Sequence, residues 1–239
     1  MQKLSNGLKD RWSGFTGLFA NKKALNNQIT DLERQIGELK IQNQSLAEYQ
    51  GEALRLQKLL EFKNNNLETY TLQGARVIAR SPDNWFKNLM IDKGSNSGIK
   101  PGMPVISPDG LVGRVAAVTQ NSAQVDLITD TEMAIGAFLA KSREVTGIVE
   151  GQGNNTNLNM INIPDDKQIA PYDMVITAGL SSVYPKGIPI GTVIDIGRER
   201  GGLLFTANLK PAVDFSHLEE VLVIINYRPL PDVKQGTAG

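Results

Sequence analysis

The chain has 239 residues with 25 basic and 25 acidic side chains, so bulk charge does not point to nucleic acid. It contains no cysteine, which excludes disulfides, thiolate zinc sites and cysteine nucleophiles. Its longest strongly apolar run, Val221 to Ile225, is far short of the about 20 residues a membrane-spanning helix needs, and no signal peptide follows Met1. The sequence is therefore expected to be soluble.

Proline and glycine divide the chain. The first of 11 prolines is Pro82, and 18 of 23 glycines lie at Gly74 or later. Proline cannot donate a backbone hydrogen bond inside a helix, and glycine costs a helix about 1 kcal/mol relative to alanine. The first 68 or so residues are thus free to be helical, and the remainder is punctuated like β-structure. In residues 1–24, Leu4, Leu8, Trp12, Phe15 and Phe19 share one helical face, and Lys3, Lys9, Arg11, Lys22 and Lys23 oppose only Asp10. A basic amphipathic segment of this kind can lie at a membrane surface. Gly7, Gly14 and Gly17 argue equally for a flexible tether.

Residues 25–68 read as a coiled coil. Leu25, Ile29, Leu32, Ile36, Leu39, Asn43 and Leu46 alternate spacings of four and three. Isoleucine at a and leucine at d favour parallel two-stranded coils, and Asn43 at an a position is a register lock bought at some cost in stability. The seam continues through Tyr49, Ala53, Leu56 and Leu60 after two successive steps of three, a stammer that overwinds the coil locally. Leu67 extends it past Asn64, Asn65 and Asn66, where the helix should fray. At about 1.5 Å per residue, Leu25 to Leu67 spans about 60 Å. The competing reading is an amphipathic helix packed on its own head domain.

From Tyr70 onward, short apolar stretches alternate with turn signals. Strands are expected at 73–79, 89–92, 104–107, 111–118, 124–129, 134–139, 146–150, 157–163, 174–177, 190–196, 205–209 and 220–225. Turns such as Pro82-Asp83-Asn84, Pro108-Asp109-Gly110 and Gly201-Gly202 separate some of them. Many short strands without helical pattern between them imply sandwiches or small barrels. A weak internal repeat supports two lobes. Pro101 to Ser107 aligns with Pro171 to Thr177, and Val112-Gly113-Arg114-Val115 aligns with Ile190-Gly191-Thr192-Val193 after a longer loop. The expected fold is mainly β: an N-terminal α-helical coiled coil, then two small β-barrel-like lobes at 69–145 and 146–226. The last strands could return to the first lobe, and 227–239 is a C-terminal tail.

No catalytic, cofactor or metal constellation stands out. His217 is the single histidine, so paired metal ligands are lacking. A two-barrel head invites comparison with serine proteases, but no glycine-framed serine accompanies His217. Asp214 reads as the cap of a short helical turn. Asp130 and Glu132, Asp165 and Asp166, and Glu219 and Glu220 read as solvated turns rather than acid/base pairs. Trp85, Tyr172 and Tyr184 are candidate exposed aromatic anchors for a partner.

The run Ala75 to Phe86, followed by Ile91-Asp92-Lys93-Gly94 and by Gly98 to Val105, resembles the cell-shape family MreC. Gly110 to Val115 and Tyr184 to Gly191 are also similar to it, in consistent order from Leu25 to Ile225. The resemblance implies a bacterial protein of the cytoplasmic membrane with one N-terminal transmembrane helix, which this chain lacks, and a β head on the periplasmic side. It implies a scaffold of peptidoglycan synthesis, not an enzyme. The implied partners are the class B penicillin-binding transpeptidase, MreD, the MreB system and further copies of itself, with no nucleic acid and no cofactor. Two other readings remain: a periplasmic adaptor of an export system, whose strands should precede the coil, and a degenerate two-barrel serine hydrolase.

Overall fold

The computed structural model describes residues 6–81, 88–142, 146–153, 157–164, 169–179, 183–198 and 204–227, with side chains from residue 25 onward apart from residue 146. Helix α1 runs Asn6–Asn65 without a proline. The ion pairs of Arg34 sit at the outward c and f positions of the heptad. Arg34 bonds Asp31 and Glu38, each at 2.7 Å, and Gln35 donates to Asp31 at 2.8 Å. Such pairs support a helix whose a and d positions are apolar. The asparagine run ends α1 rather than fraying it. The Asn66 side-chain amide donates to the Phe62 carbonyl at 2.8 Å, and the Tyr70 N–H closes on the Asn66 carbonyl at 2.8 Å.

Among the described residues twelve strands follow: β1 Tyr70–Arg80, β2 Asn88–Ile91, β3 Pro104–Ser107, β4 Gly110–Val118, β5 Ala123–Leu127 and β6 Ala134–Leu139. The rest are β7 Thr146–Gly151, β8 Leu158–Pro164, β9 Met174–Thr177, β10 Pro189–Arg198, β11 Leu204–Pro211 and β12 Glu220–Tyr227. Each overlaps its expected stretch, because period-two alternation sends one set of side chains inward. In β5, Ala123, Val125 and Leu127 are buried and Gln124 and Asp126 are not. In β8, left-handed Asn162 (φ 59) shifts the alternation so that Met160 and Ile163 both reach the core.

The strands close into two barrels with neighbour order β1-β12-β3-β4-β5-β2 and β10-β11-β8-β7-β6-β9. The first barrel is therefore completed by the last strand of the chain, and the second is inserted between β5 and β12. The pairing puts β6 in the second barrel, ahead of the 145/146 division expected from sequence, and returns β12 to the first.

Matching β12, β1, β2, β3, β4 and β5 with β6, β7, β8, β9, β10 and β11 turns every pairing of one barrel into a pairing of the other. The barrels share one topology, circularly permuted, and the weak repeat marks the same places in both. The Gly102 N–H donates to Val115 and the Tyr172 N–H to Val193, both at 2.8 Å. Val115 and Val193 donate back to Met103 and Asp173, both at 2.9 Å. Gly113 faces Val105 and Gly191 faces Val175. An added Cβ would lie 1.9 Å from the Asp126 carbonyl oxygen at Gly113 and 2.4 Å from the Lys210 oxygen at Gly191. At both points only glycine admits the crossing strand.

Candidate interaction surfaces

The first surface is the helical stripe. Leu25, Ile29, Leu32, Ile36, Leu39 and Leu46 are 46–57% exposed. Asn43, Tyr49, Ala53, Leu56 and Leu60 are exposed as well. A row of large aliphatic side chains in water lacks the burial that offsets the ordering of a helix. The last turns carry a second apolar face that sequence reading missed. Leu59 and Phe62 pack on the barrel core, and between them and the seam Arg55 reaches Glu219 at 2.5 Å and Glu220 at 3.4 Å. Burial is the main influence on Glu220, raising its carboxyl above the ordinary range against the pull of Arg55. The packed-helix alternative thus applies to Leu59 and Phe62, while Leu56 and Leu60 stay on the open side. The signal was present only as the step of three from Leu59 to Phe62, beside the seam.

The second surface lies on the second barrel. Tyr172 is 89% exposed and adopts a left-handed backbone (φ 71), a conformation that costs a non-glycine residue about 1–2 kcal/mol. Its backbone bonds to Val193, next to Ile194, and Met174 lies two residues on, opposite Thr192. Met174 and Ile194 are 51% and 50% exposed. At the equivalent places the first barrel has Gly102, buried Pro104 and half-buried Ala116. The copies thus differ by three large apolar side chains directed to solvent. Asp173, within this segment, is held by Lys141 at 2.8 Å and accepts the Ala170 N–H at 2.8 Å, so the turn that carries Tyr172 is fixed from below.

Of the other two aromatic candidates, Tyr184 does not join this surface. Tyr184 is buried at 7% exposure, not an exposed anchor, and burial pushes its phenol up to about 12. Trp85 lies outside the described residues. His217 sits on an exposed turn with Nδ1 3.0 Å from Asp214. Asp214 also accepts the Ser216 N–H at 2.9 Å, making an Asx turn rather than a capped helical turn. The His217 hydrogen bond, followed by that of Ser216, holds the Asp214 carboxyl below its usual range. The arrangement fixes the lead into β12. Arg80 assists by donating to the Phe215 and Leu218 carbonyls. Among the described residues no group of His, Asp and Glu is placed to hold a metal ion, and no helix is long and apolar enough to cross a membrane.

The family described as rod shape-determining protein MreC, barrel core, matches residues 77–225, which cover both barrels from late β1 into β12. The chain belongs to the MreC family. The cell shape-determining protein MreC of Listeria monocytogenes is 32% identical over 200 residues, covering 82% of this chain and 64% of that protein. The chain thus spans about two-thirds of that relative's length. A solved structure of Listeria MreC superposes with a TM-score of 0.61 over 82% of this chain and 98% of its own. The major periplasmic domain of the cell shape-determining filament MreC has a TM-score of 0.58 at 27% identity, covering 66% of this chain and 96% of its own. A complex between penicillin-binding protein PBP2 and MreC from Helicobacter pylori contains the same fold. Its TM-score is 0.51 at 16% identity, over 65% of this chain and 99% of that one.

Proposed function

We propose that this MreC-family chain is a non-enzymatic dimeric scaffold of the bacterial cell-elongation machinery. α1 pairs with a second copy through Leu25, Ile29, Leu32, Ile36, Leu39, Asn43, Leu46, Tyr49, Ala53, Leu56 and Leu60. The head docks the class B penicillin-binding transpeptidase through Tyr172, Met174 and Ile194. MreD and the MreB system are further partners. The protein is held in the cytoplasmic membrane by a transmembrane helix, with this region on the periplasmic side. The work of such a protein is positional: partner binding shifts which assemblies are populated, with no bond made or broken.

The observation that carries the reading is the family match across both barrels, and the family's name supplies the cell-shape role. The PBP2 complex of the Helicobacter protein supports the choice of partner. The open a/d stripe supports self-association: each a or d side chain buried in a dimer contributes about 1–2 kcal/mol.

The test is sedimentation of the purified chain, alone and mixed with the periplasmic domain of the organism's class B transpeptidase. The chain should sediment as a dimer and co-sediment with the enzyme. Leu39→Asp combined with Asn43→Asp should give a folded monomer. A dimer that survives both substitutions would remove the coil from the account, and failure to co-sediment would remove the transpeptidase.

A further inference from the structure

The β9–β10 connection is the largest departure of the second barrel from the first. β3 passes to β4 through Pro108 and Asp109 alone, whereas β9 reaches β10 through residues 178–188. Residues 183–188 of that connection are braced at their base by Thr177. Its hydroxyl donates to the Pro185 carbonyl at 2.5 Å and accepts the Ile188 N–H at 2.9 Å. Its backbone N–H and carbonyl pair with Ile188 and Gly187, both at 2.9 Å. Gly179 (φ 69) closes the base where an added Cβ would lie 2.7 Å from the Lys186 Cβ.

From this base Tyr184 and Ile188, 7% and 6% exposed, enter a single apolar cluster formed by side chains of both barrels. The charged groups acting on the Tyr184 phenol are Arg114 and Asp126, which face each other across β4 and β5 of the first barrel. The ring is carried by the second barrel and lies within electrostatic reach of a charged pair of the first, inside an apolar cluster that both barrels share. A second contact lies at Gly110, where an added Cβ would be 2.5 Å from the Pro189 carbonyl oxygen and 3.2 Å from the Ala212 Cβ. The β3–β4 turn of the first barrel therefore abuts the start of β10 and the residue after β11.

We propose that residues 183–188 form a wedge that sets the angle between the two barrels, with Tyr184 as its positioning residue. Each barrel is closed by its own strand pairing and keeps its fold without the ring, but the angle between the barrels then varies. The Tyr184 Oη has no hydrogen-bond partner among the described residues, so the ring acts through its shape and apolar contact. β9 and β10, which flank the wedge, carry Met174 and Ile194. The wedge thus fixes that face relative to the first barrel, whichever partner uses it.

The absence of native cysteine permits a clean spin-label pair at Lys100→Cys and Lys210→Cys, both exposed positions on different barrels. Pulsed electron–electron resonance on the whole chain, diluted with unlabelled chain so that each dimer carries one labelled copy, should give one narrow distance. Tyr184→Ala should broaden it while amide exchange still reports both barrels closed, and Tyr184→Phe should keep it narrow. An unbroadened Tyr184→Ala distribution overturns the proposal, as does a Tyr184→Phe distribution as broad as that of Tyr184→Ala. If Tyr184→Ala does not fold, Gly110→Ala presses on the same junction from the other side. That variant should shift the mean distance with both barrels intact, and an unchanged mean overturns the proposal.

Discussion

The two barrels share a strand topology and a set of hydrogen bonds, yet one is contiguous and the other is not. The second barrel is built from β6 to β11 in unbroken sequence, whereas the first waits for β12, at the far end of the described chain. They also differ in what they present. At equivalent places the first carries Gly102, Pro104 and Ala116, and the second carries Tyr172, Met174 and Ile194. One backbone thus serves two ends. The first copy anchors the last turns of α1 where Arg55 pairs with Glu219 and with Glu220 of β12, and the second offers apolar side chains to solvent. An internal duplicate acts as a control: what both copies keep is needed for closure, and what one copy changes is free for another use.

The largest test of this comparison removes β12. A chain ending at Leu218 loses the partner of both β1 and β3. Hydrogen exchange should show β1 to β5 unprotected and β6 to β11 still protected. Equal loss in both barrels would mean that they fold only as one unit.

Next are the paired glycines. Gly113→Ala and Gly191→Ala each force a Cβ into a crossing carbonyl, at 1.9 Å and 2.4 Å. Each should cost about 2–4 kcal/mol in denaturant unfolding, with Gly113→Ala the worse. A silent substitution at either site would break the equivalence drawn from the repeat.

Alkaline pH separates the copies through Tyr184, which has no counterpart in the short β3–β4 turn. The folded phenol is raised from 10.0 to about 12, so its proton leaves the unfolded chain first. The associated stability is present below pH 10 and is lost as pH rises towards 12, by about 2–3 kcal/mol. Tyr184→Phe should flatten that part of the stability curve. An unchanged slope would mean that the phenol is not buried in solution.

The smallest effect is on stability at Tyr172. Tyr172→Gly restores the residue type of Gly102 to a left-handed position, and thermal unfolding should show stability unchanged or raised by up to about 1 kcal/mol. A clear loss would assign the ring a structural role and remove it from the contact face.

The strands were legible because alternation and turn residues are local signals. β9 runs 174–177 and β6 runs 134–139, as expected. Barrel closure was legible only as the option that the last strands return to the first lobe, because the pairing of β12 with β1 joins residues at opposite ends of the head and no local pattern encodes it. The left-handed turn was half legible. The alignment of Gly102 with Tyr172 was visible, but the conformation that makes a tyrosine there costly is a backbone fact. Tyr184 misled because aromatic residues in loops are exposed or buried according to what the loop reaches. Leu59 and Phe62 were masked by the seam, whose Leu60 lies between them in sequence.

Whether the scaffold meets its transpeptidase through the second barrel is decided by one titration. The periplasmic domain of the class B transpeptidase is titrated against the whole chain and against its Tyr172→Gly variant by isothermal calorimetry. Binding to the chain should be saturable, and binding to the variant at least tenfold weaker, the scale of a buried aromatic anchor worth about 2 kcal/mol. Equal affinities would contradict the placement of the contact on this face, and no heat with either would contradict the partnership itself.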